Sequence, residues 1–130
     1  MTLVMDTSIL IDIERRKEET INKLNNLIKK YPSPAKITFI NEFEFKFGLE
    51  KHEPKNKEKA LVFLNNFSVI QTSKKTAGIL AKLKYKYDRK GIVIPLADLL
   101  IASLVIENSM VLLTKDNDFL KIEELEKIVL

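Results

Sequence analysis

Leu3-Val4-Met5 is an unbroken apolar run that stops at Asp6-Thr7-Ser8. Three core-type residues followed by turn formers predict a short strand buried on both faces of a sheet. Ser8 to Glu14 then predicts a short helix, and Lys17 to Lys30 a longer one whose Ile21, Leu24, Leu27 and Ile28 share a face. Pro32 and Pro34 end it. A second short strand is expected from Ala35 to Thr38. Beyond it Phe39, Phe43 and Phe47 recur at four-residue intervals, one stripe of a helix that Gly48 would close soon after. The stretch from His52 to Glu58 is polar, contains Pro54 and predicts a loop.

The second half repeats the alternation. A helix from about Asn56 to Asn66 leads into Phe67-Ser68-Val69-Ile70, a third strand. Ser73 is placed to cap a long helix reaching Arg89, with Ala77, Leu80, Leu83 and Tyr87 on its buried side and Gly91 as its stop. Pro95-Leu96-Ala97-Asp98 opens an apolar helix that runs to Glu107. A fourth strand, Met110 to Thr114, is followed by a charged loop, a short helix near Asp118 to Leu125 and a last strand from Ile128 to Leu130. Strands alternating with helices predict an α/β fold with a mainly parallel sheet and right-handed crossovers. Three glycines, four prolines and no repeat or linker tract make residues 1–130 one domain.

Composition removes whole classes of chemistry. There is no cysteine, hence no disulfide framework and no thiolate metal site. A single histidine, His52, sits in a polar stretch, which leaves no histidine-based zinc site. Any metal must be held by oxygen. No apolar run approaches the roughly 18 residues of a membrane span, and the N-terminus lacks a basic, cleavable leader, so an intracellular location is expected. No Gly-x4-Gly-Lys-Ser/Thr is present to cradle a nucleotide. The net charge of +4 is uneven. Lys74, Lys75, Lys82, Lys84, Lys86, Arg89 and Lys90 face only Asp88 in their segment, and Arg15-Arg16-Lys17 forms a second cluster. Such patches either solvate a helix or gather a polyanion such as RNA; Arg15, Arg16, Lys17, Lys82 and Lys86 are the candidate contacts. Tyr85 and Tyr87 are read as packing residues rather than as platforms for bases.

Ligands of parallel α/β folds gather at the carboxyl ends of the strands, so acidic residues there carry the most information. Asp6 directly follows the first strand. Glu42 lies one helical turn beyond Thr38, and Asp116 and Asp118 follow the fourth strand. Asp98 reaches the same edge if its helix runs antiparallel to the strand it feeds. Each has a plain structural alternative: Asp6 and Asp98 as helix caps, Glu42 as a solvated position, Asp116-Asn117-Asp118 as a turn. Placed together, they would repel one another unless a hard dication such as Mg²⁺ or Mn²⁺ relieved the repulsion.

In order and spacing, Leu3-Val4-Met5-Asp6-Thr7-Ser8, Thr38-Phe39-Ile40-Asn41-Glu42, Asp98-Leu99-Leu100-Ile101-Ala102 and Leu113-Thr114-Lys115-Asp116-Asn117-Asp118-Phe119 resemble the PIN domain. Chain length and motif order are similar to the stand-alone VapC-type toxins of prokaryotic toxin–antitoxin pairs. The resemblance implies a three-layer α/β/α domain with five strands in the order 3-2-1-4-5. It implies Asp6, Glu42, Asp98 and Asp116 as the acidic metal site, Asp118 as an auxiliary carboxylate, and Thr7 or Ser8 as the hydroxyl that orients Asp6. It further implies Mg²⁺- or Mn²⁺-dependent cleavage of RNA, a homodimer, and silencing by a small antitoxin. Glu44 competes with Glu42 for the second position, where the distance from Thr38 favours Glu42, and the fourth motif offers both Asp116 and Asp118. An RNA-processing PIN nuclease without an antitoxin and a non-catalytic RNA-binding module are the alternatives. A phosphoryl-accepting receiver is disfavoured, because Asp6 has no acidic neighbour and Val69-Ile70-Gln71-Thr72 offers no aspartate.

Overall fold

The computed structural model describes all 130 residues. Its strands are β1 (Leu3–Met5), β2 (Lys36–Thr38), β3 (Ser68–Ile70), β4 (Val111–Thr114) and β5 (Lys127–Val129). The helices are α1 (Thr7–Glu14), α2 (Glu18–Ile28), α3 (Phe39–His52), α4 (Lys57–Leu64), α5 (Lys74–Arg89) and α6 (Leu96–Glu107), with a 3-10 turn at Asn117–Lys121. All four strand pairings are parallel, in the order β3-β2-β1-β4-β5. The winding reverses between β1 and β4, and this opens a crevice at their carboxyl ends.

Strand alternation splits the core in two. Leu3, Met5, Val111 and Leu113 point to one side, where Ile9, Leu10, Leu24, Phe45 and Leu64 of the first four helices cover them. Val4 and Leu112 point to the other, against Leu83 and Tyr87 of α5 and Leu99, Ala102 and Val105 of α6. In register, Leu3, Val4 and Met5 face Val111, Leu112 and Leu113. One step further, the Asp6 N–H donates to the Leu113 carbonyl at 2.9 Å, which brings Asp6 level with Thr114.

Three expectations shift. Helix α3 runs through Gly48 to His52 and ends on Glu53 in the left-handed region, φ 43°. Gly48 therefore lies inside the helix, and the expected loop starts one residue late. The phenylalanine stripe of α3 faces out: Phe39, Phe43 and Phe47 are 44%, 55% and 56% exposed, while Asn41, Phe45 and Leu49, at the same spacing two residues on, are buried. On α5 the inward residue of the first turn is Thr76, not Ala77. Ser73 caps α5 as expected, accepting from the Lys75 N–H, and its hydroxyl joins that of Thr76 in donating to Glu107 at the far end of α6.

Candidate active site

Asp6 leaves β1 at the centre of the crevice and is only 6% exposed. It begins α1 without capping it through its side chain. Both carboxylate oxygens are engaged instead. Oδ2 accepts from the Thr114 hydroxyl at 2.6 Å and from Ser8 Oγ at 3.3 Å; Oδ1 accepts from Asn41 Nδ2 at 3.1 Å. Asn41 is fully buried, and its Oδ1 accepts from the Thr38 N–H and hydroxyl at 3.0 and 2.7 Å. That pair of bonds fixes the amide so that its NH₂ points at Asp6 and at Thr7 Oγ1, 3.2 Å away. Thr7 in turn donates to Glu44 Oε1 at 2.6 Å. A chain of bonds from the capping box of α3 thus aims two carboxylates, Asp6 and Glu44, into one space. Burial pushes the Asp6 carboxyl above its ordinary value against the pull of the Thr114, Thr7 and Ser8 hydrogen bonds, and the Asp116 charge adds to the rise.

Across the crevice, Asp98 is the third residue of α6 and makes no capping bond. One carboxylate oxygen each from Asp98, Asp116 and Asp118 lies within 4.8 Å of the others. Asp116 is held by its own N–H, which donates to Thr114 Oγ1 at 3.0 Å, and by its Oδ1, which accepts from the Asp118 N–H at 2.9 Å. The Thr114 hydroxyl therefore touches both Asp6 and the Asp116 backbone. Burial, then the negative charges of Asp116, Asp6, Asp118 and Glu44, raise Asp98 to about 7. Burial also raises Glu44, offset by its Thr7 bond and reinforced by Asp6 and Asp116. Such a donor set fits a hard cation: every ligand atom is oxygen, and ligands on opposite sides of such an ion stand about 4–5 Å apart.

The PIN domain family model matches residues 3–125. The chain belongs to the PIN-domain family. Within it, the Ribonuclease VapC of Rickettsia bellii is 31% identical over an alignment spanning 97% of this chain and 94% of that protein. The Ribonuclease VapC2 of Rickettsia felis is 27% identical, over 89% of this chain and 87% of its own. Among solved structures, VapBC2 from Rickettsia felis, bound to a DNA fragment from its promoter, superposes with a TM-score of 0.83 at 26% identity, covering 100% of this chain and 99% of that one. The DNA-bound VapBC of Salmonella typhimurium shares the fold, with a TM-score of 0.80 at 22% identity, over 99% and 98% of the two chains.

In this PIN domain Asp6, Asp98, Asp116 and Asp118 come together, while Glu42 does not join them. Glu42 lines the outer surface of α3 with Phe39, Phe43, Lys46, Phe47 and Glu50. The first inward residue of α3 is Asn41, so the inward carboxylate comes three residues later, at Glu44, on the same face. The hydroxyls divide their work: Thr7 orients Glu44, and Ser8 supports Asp6 while accepting the Lys115 N–H at 3.2 Å. Asn41 and Thr114 lie within the PIN-like motifs but carry no charge to mark them as site residues. The parallel register that sets Thr114 beside Asp6 is the signal that finds the second of them.

The basic candidates separate in the same way. Lys86 is committed to Glu124 at 2.9 Å and Glu123 at 3.4 Å, and Lys84 to Asp88 at 2.8 Å. Lys82 is exposed and forms no ion pair, as are Arg16 and Lys17, whereas Arg15 stands on the wall of a groove that Glu44 also lines. Tyr87 is core, 1% exposed, with its hydroxyl donating to Glu124 at 2.6 Å.

A second buried carboxylate anchors the β4 loop from behind. Asp12, 7% exposed, accepts from Thr20 Oγ1 at 2.6 Å and Lys115 Nζ at 2.7 Å. Burial alone would raise its pKa, but the Lys115 and Thr20 bonds and the nearby lysine charges hold it below the ordinary value. Lys115→Met should destabilise the fold by roughly 2 kcal/mol at neutral pH, the worth of a hydrogen bond to a charged group, since Asp12 loses its cationic partner and keeps only the Thr20 bond. Because a lowered folded pKa stabilises only above the unfolded value, the difference from wild type should shrink as the pH falls through the carboxylate range. Urea denaturation of both proteins at several pH values measures it.

Proposed function

We propose that this PIN domain is a Mg²⁺- or Mn²⁺-dependent endoribonuclease that acts as the toxin of a VapBC-type pair. The observation that carries the reading is the cluster of Asp98, Asp116 and Asp118 at the β1–β4 crevice, with Asp6 linked to it through the Thr114 hydroxyl and Glu44 held beside Asp6 by Thr7. Such a dication, when bound, activates water for attack on a phosphodiester and stabilises the departing oxygen. Asp6, Glu44, Asp98 and Asp116 would hold it, with Asp118 as auxiliary. The hydroxyls of Thr7, Ser8 and Thr114 and the Asn41 amide keep the first two carboxylates in place before substrate arrives, so little reorganisation remains. Exposed Arg15, Arg16, Lys17 and Lys82 supply positive charge that draws RNA backbone towards the domain.

The names of the relatives support ribonuclease activity, and the VapBC complexes among the structural neighbours support a small antitoxin as partner. An inhibitor suited to this site carries an arginine or lysine that enters the carboxylates in place of the cation. No helix of the chain is long and apolar enough to cross a membrane, which is compatible with work in the cytoplasm. Expressing the wild type and Asp6→Asn without a partner and sequencing the RNA ends tests the reading. New ends are expected only with the wild type; matching end profiles would favour the non-catalytic RNA-binding alternative. Co-purification from the native locus should return a small basic-tipped protein. Recovery of the bare chain alone would favour RNA processing without an antitoxin.

The homodimer belongs to the same proposal. Phe43 and Phe47 stack at 5.9 Å on the outer face of α3, a cluster that a monomer would leave wet. Two α3 helices packed antiparallel about a two-fold axis near Phe43 would cover it and set Glu42 of each near Lys46 of the other. Phe43→Glu should convert the dimer to a folded monomer by light scattering. An unchanged mass would place any dimer contact elsewhere.

A further inference from the structure

A groove of about 180 Å³ runs beside the carboxylates between the second half of α1 and the second half of α3. Ile11, Phe45 and Leu49 give it an apolar floor. Its polar lining is Glu14, Arg15, His52 and Glu44, the last shared with the active site through the Thr7 bond. Gly48 lies on this groove in the middle of α3, where glycine is the least favourable residue after proline. Nothing in the fold requires it: its backbone is not in the left-handed region, and an added Cβ would meet no atom within 4 Å. The missing side chain is therefore open groove, kept at a cost to the helix.

We propose that this groove holds one nucleobase of the RNA next to the scissile bond and prefers guanine there. The proposal rests on the ribonuclease reading above. A base has flat apolar faces and a polar edge, which matches an apolar floor with a polar wall. The Glu14 carboxylate offers two acceptors side by side, and guanine alone presents two adjacent donors, N1–H and the 2-amino group, on its pairing edge. Arg15, next in the chain, is placed for the neighbouring phosphate. An antitoxin side chain is the competing occupant, and the experiment separates the two.

The measurement is kcat/KM in Mg²⁺ on four sets of short single-stranded RNAs that differ only at the nucleotides flanking the cleavage point. The wild type should favour guanine at one flanking position by about tenfold or more, the range of a bidentate contact. Glu14→Gln replaces one acceptor by a donor and should bring guanine to within about twofold of the other bases. Gly48→Leu fills the groove, should raise KM for every RNA, and should melt at or above the wild-type temperature, since leucine is the better helix former. In an Asp6→Asn background it should weaken binding of uncut RNA as well. A wild type that cuts RNA with a flat base profile overturns the groove assignment and leaves the ribonuclease reading standing. So does a Gly48→Leu variant that cuts normally but escapes its antitoxin. A wild type that cuts no member of the set overturns both.

Discussion

Glu44→Gln should lower RNA cleavage by about a hundredfold or more, while Glu42→Gln should stay within a few-fold of the wild type. The two residues are two positions apart on one helix and differ in which way they face. Glu44 accepts from Thr7 at 2.6 Å and adds to the charge felt by Asp98, whereas Glu42 stands among Phe39, Phe43 and Lys46 on the outer face. Glutamine keeps the Thr7 bond and the side-chain volume, so the loss isolates charge from shape. Melting temperatures should stay close to wild type for both. Steady-state cleavage of one RNA by the three proteins is sufficient. Equal losses at the two positions, or a loss at Glu42 alone, would mean that the inward face of α3 is not the one that works.

Asp98→Asn should abolish most cleavage and yet make the metal-free protein more stable. In the fold Asp98 titrates at about 7, against an ordinary 3.8. Between those values the folded chain keeps a proton that the unfolded chain releases, so stability falls as the pH rises through that window, and the contribution is fully lost above about 7. Asparagine removes the repulsion. In EDTA the wild type should therefore melt lower at pH 8 than at pH 5.5, by a larger interval than the variant does. With millimolar Mg²⁺ at pH 8 the wild type should gain stability by ligand linkage, and Asp98→Asn should gain much less. Thermal melts at the two pH values, with and without metal, give all four comparisons. A parallel pH dependence and equal Mg²⁺ responses would remove Asp98 from the ion's surroundings.

Much of the fold was legible because short apolar runs and amphipathic helices alternate without interruption, and each strand end falls at a turn former or a cap. The order of the strands and the place of Asp6, Asp98, Asp116 and Asp118 came from the PIN resemblance together with the rule for parallel sheets. What was not legible depends on rotation about a helix axis. In α3 two sets of large residues share one period, and only tertiary packing decides that Asn41, Phe45 and Leu49 go in while Phe39, Phe43 and Phe47 stay out. The choice between Glu42 and Glu44 turned on that rotation, since distance from Thr38 along the chain says nothing about azimuth. Thr114 and Asn41 were quoted in the motifs, but their hydrogen bonds to Asp6 span 108 and 35 residues and follow only from the assembled sheet. The link from Lys115 to buried Asp12, across 103 residues, was hidden for the same reason.

Whether these carboxylates form a metal-dependent ribonuclease site is decided on the purified chain free of any partner. Wild type and Asp6→Asn are each incubated with single-stranded RNA in EDTA, and again after excess Mg²⁺ or Mn²⁺ is added. Intact RNA is expected in EDTA, cleavage by the wild type once metal is restored, and at least about a hundredfold less by Asp6→Asn under the same conditions. Undiminished cleavage in EDTA, or by Asp6→Asn in Mg²⁺, would mean that these carboxylates do not hold a catalytic metal.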